Sequence, residues 1–183
     1  MTEAIANALI PSVNCQIFGN PDDAQTMQQV MGMVMQAIND ESVAWHLERF
    51  ASYYRGHTQK QQLEKLGQLW HFVRHQIKYV EDGNIQIIKS PACTWQYRRV
   101  GADCKSKTVF IYWVCRLLQI PCFINFLIYN NNQGHVFPTA VIGNQLVRID
   151  AVNTYFNDWN DYGFQNIKRY PSVFQWMLHN RRF

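Results

Sequence analysis

The chain has 183 residues, 48% of them apolar and 14% aromatic, with 16% charged and a net charge of +4. That length suits one domain spanning 1–183, large enough to bury about two-thirds of its unfolded surface without disulfides. The lysines and arginines are scattered, and no apolar run nears the ~18–20 residues that span a bilayer, so neither nucleic acid nor membrane is expected as a partner.

The N-terminal part, about 20–80, reads as helices. Asn20-Pro21-Asp22-Asp23 looks like a helix start, with Asn20 as cap, proline in the first turn and two acids at the positive end of the dipole. Met27, Val30, Met31, Val34, Met35 and Ile38 follow at three- and four-residue spacing and make one apolar stripe, best read as core packing. A second helix is expected from Asp40 or Ser42 through Val43, Leu47 and Phe50 to about Arg55-Gly56. Thr58 followed by Gln61 has capping-box spacing and opens a third, whose period of Leu63, Leu66, Leu69, Trp70, Val73 and Ile77 lasts to about Tyr79. His71 and His75 share a face of it without a third metal ligand, so no metal is expected.

Asp82-Gly83-Asn84 is a turn, and 85–103, with Pro91, Trp95 and Tyr97, reads as a long loop. Val109 to Leu118 is apolar nearly all round, which places a helix in the middle of the fold until Ile120-Pro121 stops it. Cys122 to Tyr129, His135 to Ile142 and Gln145 to Asp150 read as strands of an antiparallel meander, with a polar turn at 130–134 and a tight one at Gly143-Asn144. Pro138, three residues into the middle strand, removes a ladder hydrogen bond and suggests an edge or a bulge. The aromatic extension, about 156–183, with Trp159 through Phe164 and Trp176, is expected to wrap the core. Helices, then a buried helix, then strands indicate an α+β fold.

Five cysteines (15, 93, 104, 115 and 122) form an odd set without CxxC spacing. No signal peptide is read at the N-terminus, and reduced thiols in a cytoplasmic protein are expected. Cys115 and Cys122 lie inside apolar runs and read as packing residues. Cys104 differs, because Asp103 has the chemistry to cap the buried helix and sets Cys104 at its first turn. Free N–H groups and the macrodipole there favour a thiolate and are expected to depress its pKa, with Lys105 and Lys107 adding positive potential. A nucleophile needs a base and the base an orienting group. His135 and Asp150 sit at the open end of the hairpin that turns at Gly143-Asn144, within reach of a cross-strand hydrogen bond.

Gly101-Ala102-Asp103-Cys104, then a helix ending Leu117-Leu118-Gln119-Ile120-Pro121, then Gly134-His135-Val136-Phe137 and Val147-Arg148-Ile149-Asp150-Ala151, resembles the transglutaminase-like superfamily over about residues 65–155. The family pattern has G-D-C, where this chain inserts an alanine. The resemblance implies a papain-related core in about 85–155, with N-terminal helices and a Cys-bearing helix packed on an antiparallel sheet. It implies Cys104 as nucleophile, His135 as base and Asp150 as orienter. The oxyanion would be held by the backbone N–H of Cys104, with Trp95 or Gln96 as a second donor. The expected activity is a cofactor-free thiol hydrolase, a protease or amidase acting on a protein or peptide, as small bacterial and phage members of the family suggest. Two alternatives stand beside it: an acyltransferase or crosslinking transglutaminase, and a non-catalytic scaffold binding an assembly partner.

Overall fold

The computed structural model describes residues 1–12, 14–19, 27–83, 85–129, 133–160 and 164–171, with Met27 and 164–171 described as backbone alone. The expected cap at Asn20-Pro21-Asp22-Asp23, the Met27 side chain, Asn84 and Trp176 therefore lie outside the described residues.

Helix α1 (Glu3–Leu9) was not foreseen; Thr2 caps it by accepting the Ile5 N–H. Strand β1 (Ile17–Phe18) leads on to α2 (Met27–Asn39), which carries the expected stripe. Val30, Val34 and Ile38 are buried, and Met31, Met33 and Met35 pack at the border of the core. The single helix expected over Asp40–Gly56 is broken into two 3-10 turns, Glu41–Val43 and Trp45–Leu47, and a short α3 (Glu48–Ser52). Asp40 does cap the first turn, accepting from Ser42 N–H at 3.0 Å. Val43, Leu47 and Phe50 all reach the core from these short pieces.

Helix α4 (Gln59–Gln76) starts on the expected Thr58 cap, which accepts from Gln61 N–H. The Gln61 side chain reaches back to the His57 N–H at 2.9 Å. It stops at Gln76, earlier than expected, because Lys78 and Val80 turn their backbones to the segment before the cysteine helix. Lys78 N–H donates to Arg98, Ala102 N–H to Lys78 and Val80 N–H to Ala102. The stretch 85–103 is not a loop throughout: it holds β2 (Ile88–Lys89), paired with β1, and α5 (Pro91–Gln96), with Pro91 in its first turn. Six residues are too few for a helical period to show in sequence.

Helix α6 (Cys104–Leu117) is buried from Lys105 to Cys115 and packs against α2, α3, α4, α5 and the sheet. Phe110 meets Phe50 edge-on at 5.4 Å, and Trp113 donates to the Ala37 carbonyl at 3.0 Å. Each such large side chain contributes roughly 1.5–3 kcal/mol by leaving water. Strands β3 (Cys122–Tyr129), β4 (Gly134–Ile142) and β5 (Gln145–Arg148) form the expected meander. An unforeseen β6 (Phe164–Pro171), inside the expected aromatic extension, adds to the other edge of β3 and gives the order β5-β4-β3-β6.

Pro138 is neither at an edge nor at a bulge, since β4 is an interior strand in regular register with β3. Its carbonyl accepts from Ile149 N–H just past the end of β5, and its ring nitrogen has no hydrogen to return that bond, so one ladder bond is missing at the point where β5 ends. Alternation sends Val136, Ala140 and Ile142 into the main core, while His135 and Phe137 face Arg148, Asp150 and Trp159. Among the described residues no helix is long and apolar enough to cross a membrane.

Cys15 and Cys93 are joined by a disulfide across 78 residues, with Cα atoms 4.6 Å apart. The expectation of five reduced thiols fails at this pair, which only the β1–β2 pairing brings together. Cys104, Cys115 and Cys122 are free.

Candidate active site

Asp103 caps α6 through its Oδ1, which accepts from Ser106 N–H at 3.0 Å, and this puts Cys104 at the first helical position. The approach is fixed by Gly101 at φ +129, where a Cβ would overlap the Val80 side chain, and by Ala102, bridged in parallel to Tyr79. The inserted alanine thus carries the bridge that brings Tyr79 to the nucleophile candidate. Thr108, on the same helix, donates to the Val136 carbonyl at 3.0 Å and docks α6 on β4 beside His135.

On the strands, His135 Nε2 lies 2.6 Å from Asp150 Oδ2. Continued past its end, the β4–β5 register sets Asp150 opposite Phe137, so the imidazole reaches its carboxylate diagonally rather than straight across. Asp150 follows β5 in the chain and is held at every oxygen. Arg148 Nη2 shares Oδ2 at 2.7 Å, Val152 N–H donates to Oδ1 at 3.0 Å, and Trp70 Nε1 donates to the main-chain carbonyl at 2.8 Å. Burial alone would raise the Asp150 pKa; the His135 hydrogen bond and charge, with the Arg148 guanidinium, outweigh it and hold the carboxyl below its ordinary range.

Cys104 and His135 line one cavity of about 650 Å³, together with Tyr79, Glu81, Asp82, Asp103, Lys105, Phe126, Tyr129 and Asn153. The thiol is only partly accessible. Burial pushes its pKa up to about 11, Asp150 and Asp82 add to the rise, and the backbone N–H groups of Val136 and Lys105 offset part of it. The expected depressed thiol is therefore not what the resting site holds. The helix start is present, but desolvation of the charged form outweighs it.

Trp95 and Gln96 are not among the residues lining this cavity. Trp95 is buried on α5, stacked on Phe72 at 5.2 Å and donating to Asn7 Oδ1 at 3.1 Å, while Gln96 is exposed. Neither is placed to serve an oxyanion. The backbone N–H of Cys104, in the first turn, has no intrahelical acceptor.

Arg148 and Tyr79 were given no role at the site from the sequence, and Lys107 was expected only to add positive potential. Arg148 is fully buried against the Phe137 ring at 3.9 Å, and its spacing of two from Asp150 on a strand was a readable sign that the two share a face. Tyr79 lines the cavity; burial first, then the negative forms of Cys104 and Glu81, raise its hydroxyl above the usual range. The Lys107 ammonium sits 5.6 Å from the Tyr79 ring centroid and is pulled down to about 8 by burial and Arg74, against the pull of Asp150. The His71 and His75 rings lie 4.3 Å apart, tilted by 45°, and among the described residues no group of three or more His, Cys, Asp or Glu is placed to hold a metal ion.

No protein-family model and no curated protein matches the chain. Solved structures do. Legionella pneumophila LapG in its calcium-bound form is 14% identical with a TM-score of 0.52, over 81% of this chain and 85% of LapG. The EGTA-treated form scores 0.50, over 77% and 79%. A candidate cysteine protease of Cytophaga hutchinsonii aligns at 14% identity and TM-score 0.49 over 85% of this chain, and the chain spans 62% of that protein's length. What the LapG likeness carries is the architecture: this chain has an α+β fold of the papain-like cysteine protease kind, with a cysteine-bearing helix packed on an antiparallel sheet.

Proposed function

We propose that the protein is a thiol hydrolase that cleaves amide bonds of a protein or peptide through Cys104, His135 and Asp150. The observation supporting this is the His135–Asp150 pair, 2.6 Å apart, whose imidazole lines the same cavity as Cys104 at its helix start. Because burial keeps the resting sulfur protonated, the reading is general-base attack rather than a standing ion pair.

In this scheme His135 takes the Cys104 proton as the sulfur bonds to the amide carbonyl carbon. The Cys104 N–H steadies the oxyanion, and the C–N bond breaks as the imidazolium returns the proton to the leaving amine. Water then attacks the thioester, giving its proton through His135 to the departing sulfur and leaving a carboxylic acid. Asp150 fixes the ring so that Nε2 faces the carboxylate and Nδ1 is the nitrogen that handles protons. An amine entering in place of water would make the same acyl-enzyme a transferase.

The test is hydrolysis of a mixed fluorogenic peptide pool and of casein, with mass spectrometry to trap an acylated Cys104. Cys104→Ala is expected to abolish turnover and His135→Ala to lower it by about 10²-fold or more. Turnover that survives Cys104→Ala would overturn the assignment. The raised thiol also fits a binding protein built on the same scaffold. That second reading predicts no acylation and no dependence of Cys104 alkylation on His135.

A further inference from the structure

Lys105 follows Cys104 directly, yet its side chain turns inward and is only 6% exposed. A lysine in the first turn of a helix is on the wrong end of the dipole, so its burial there needs partners. It has three. Its ammonium is paired with Asp103, the helix cap, lies 3.3 Å from Asp82 Oδ2, and donates to Gln86 Oε1 at 2.8 Å. Asp82 and Gln86 come from the segment forming a wall of the cavity. That wall is tied further by Ile87 N–H to Asp82 at 2.9 Å and by Gln86 Nε2 to the Gly83 carbonyl at 2.6 Å.

We propose that Lys105 is a positioning residue for Cys104: its ammonium neutralises the Asp82 and Asp103 carboxylates beside the sulfur and locks the Asp82–Gln86 wall onto the helix start. This rests on the reading of Cys104 as the nucleophile. Asp82 and Asp150 both oppose a negative sulfur, and Asp150 is already committed to His135 and Arg148. Of these two, Asp82 is the one that Lys105 pairs with, at 3.3 Å. The charged and titratable groups around this cluster include Glu81, Asp82, Asp103, Lys89, Tyr79, Asp150 and His135.

The experiment is the pH dependence of Cys104 alkylation by iodoacetamide on the full chain, resolved by peptide mass spectrometry, with buried Cys115 and Cys122 as internal references. Lys105→Met uncovers a carboxylate beside the sulfur, and a one-unit rise in thiol pKa makes alkylation at pH 8.5 about tenfold slower. Lys105→Arg keeps the charge and is expected to stay within about twofold of wild type. Adding Asp82→Asn to Lys105→Met removes the uncovered charge and is expected to restore most of the rate. Superimposable profiles for wild type and Lys105→Met, or no restoration in the double variant, would overturn the proposal.

Should Lys105→Met fail to fold by circular dichroism, Asp82→Asn alone decides: it is expected to speed alkylation by about threefold, and an equal or slower rate counts against the role. Alkylation needs no turnover. A chain that shows these shifts but hydrolyses nothing would lose the catalytic reading and keep the role of Lys105 in setting the thiol.

Discussion

Asp150 and Asp103 are both 3% exposed, and both serve the cavity, but they are satisfied in opposite ways. Asp150 is held by groups from a strand, a neighbouring strand, a loop and a distant helix: Arg148, His135, Val152 and Trp70. Asp103 is served locally, by Ser106 N–H within its own helix turn and by Lys105 two residues on. The first carboxylate holds the imidazole in place through tertiary structure; the second places the sulfur through helix capping. The difference predicts that damage at Asp150 spreads through the fold, while damage at Asp103 stays near the helix start.

The largest effect follows from Arg148, whose side chain is fully buried. Asp150→Ala leaves that guanidinium without its carboxylate and is expected to cost about 3–5 kcal/mol in urea unfolding. A loss below about 1 kcal/mol would erase the contrast with Asp103, because that is the size of an ordinary cap. Asp150→Asn, which keeps the shape, should lose less stability yet still disturb the tautomer of His135.

Lys107 offers the next test, with the opposite sign. Its pKa falls to about 8 on folding, so between that value and the unfolded ~10.4 the unfolded chain binds more protons and stability rises with pH. Lys107→Met removes the cost of burying the ammonium. At pH 7 it is expected to stabilise the chain by on the order of 3 kcal/mol, an advantage that fades as pH passes 10. Equal unfolding curves for the two proteins at pH 7 would show that the ammonium is solvated where it sits.

Asp103→Ala is expected to cost about 1–2 kcal/mol, the loss of a cap together with a partner for Lys105. The smallest effect is in acid. The Asp150 carboxyl is held low in the folded state, so its stabilisation is complete above the unfolded value of ~3.9 and is lost as pH falls below it. Acid unfolding of Asp150→Asn should accordingly show a shallower pH slope below about 4 than wild type. Parallel slopes would mean that the His135 and Arg148 contacts do not favour the charged form.

Much of this architecture was readable from local pattern. The Thr58 cap, the apolar helix behind Cys104 and the strand over Cys122–Tyr129 all emerge where expected, because caps, periodicity and β-branched runs are encoded within a few neighbouring residues. The approach of His135 to Asp150 was also legible, since a two-residue turn at Gly143-Asn144 fixes the register of its hairpin. Expectations failed where short segments answer to distant ones. Residues 91–96 form a helix and 164–171 a strand through what they pack or pair against, and Cys15 meets Cys93 across 78 residues.

The chain by itself determined which side chains stand at the helix start and at the hairpin mouth, since capping and strand alternation are local rules. Only the tertiary structure decided their electrostatic state. Packing around Cys104 removes the water that would stabilise a thiolate, so a position that local logic marks as acidic holds a thiol with a pKa near 11. The same packing turned Lys105 inward onto Asp82 and Asp103, and set Arg148 beneath Asp150. Burial depends on everything that surrounds a group, and no window of sequence contains its surroundings.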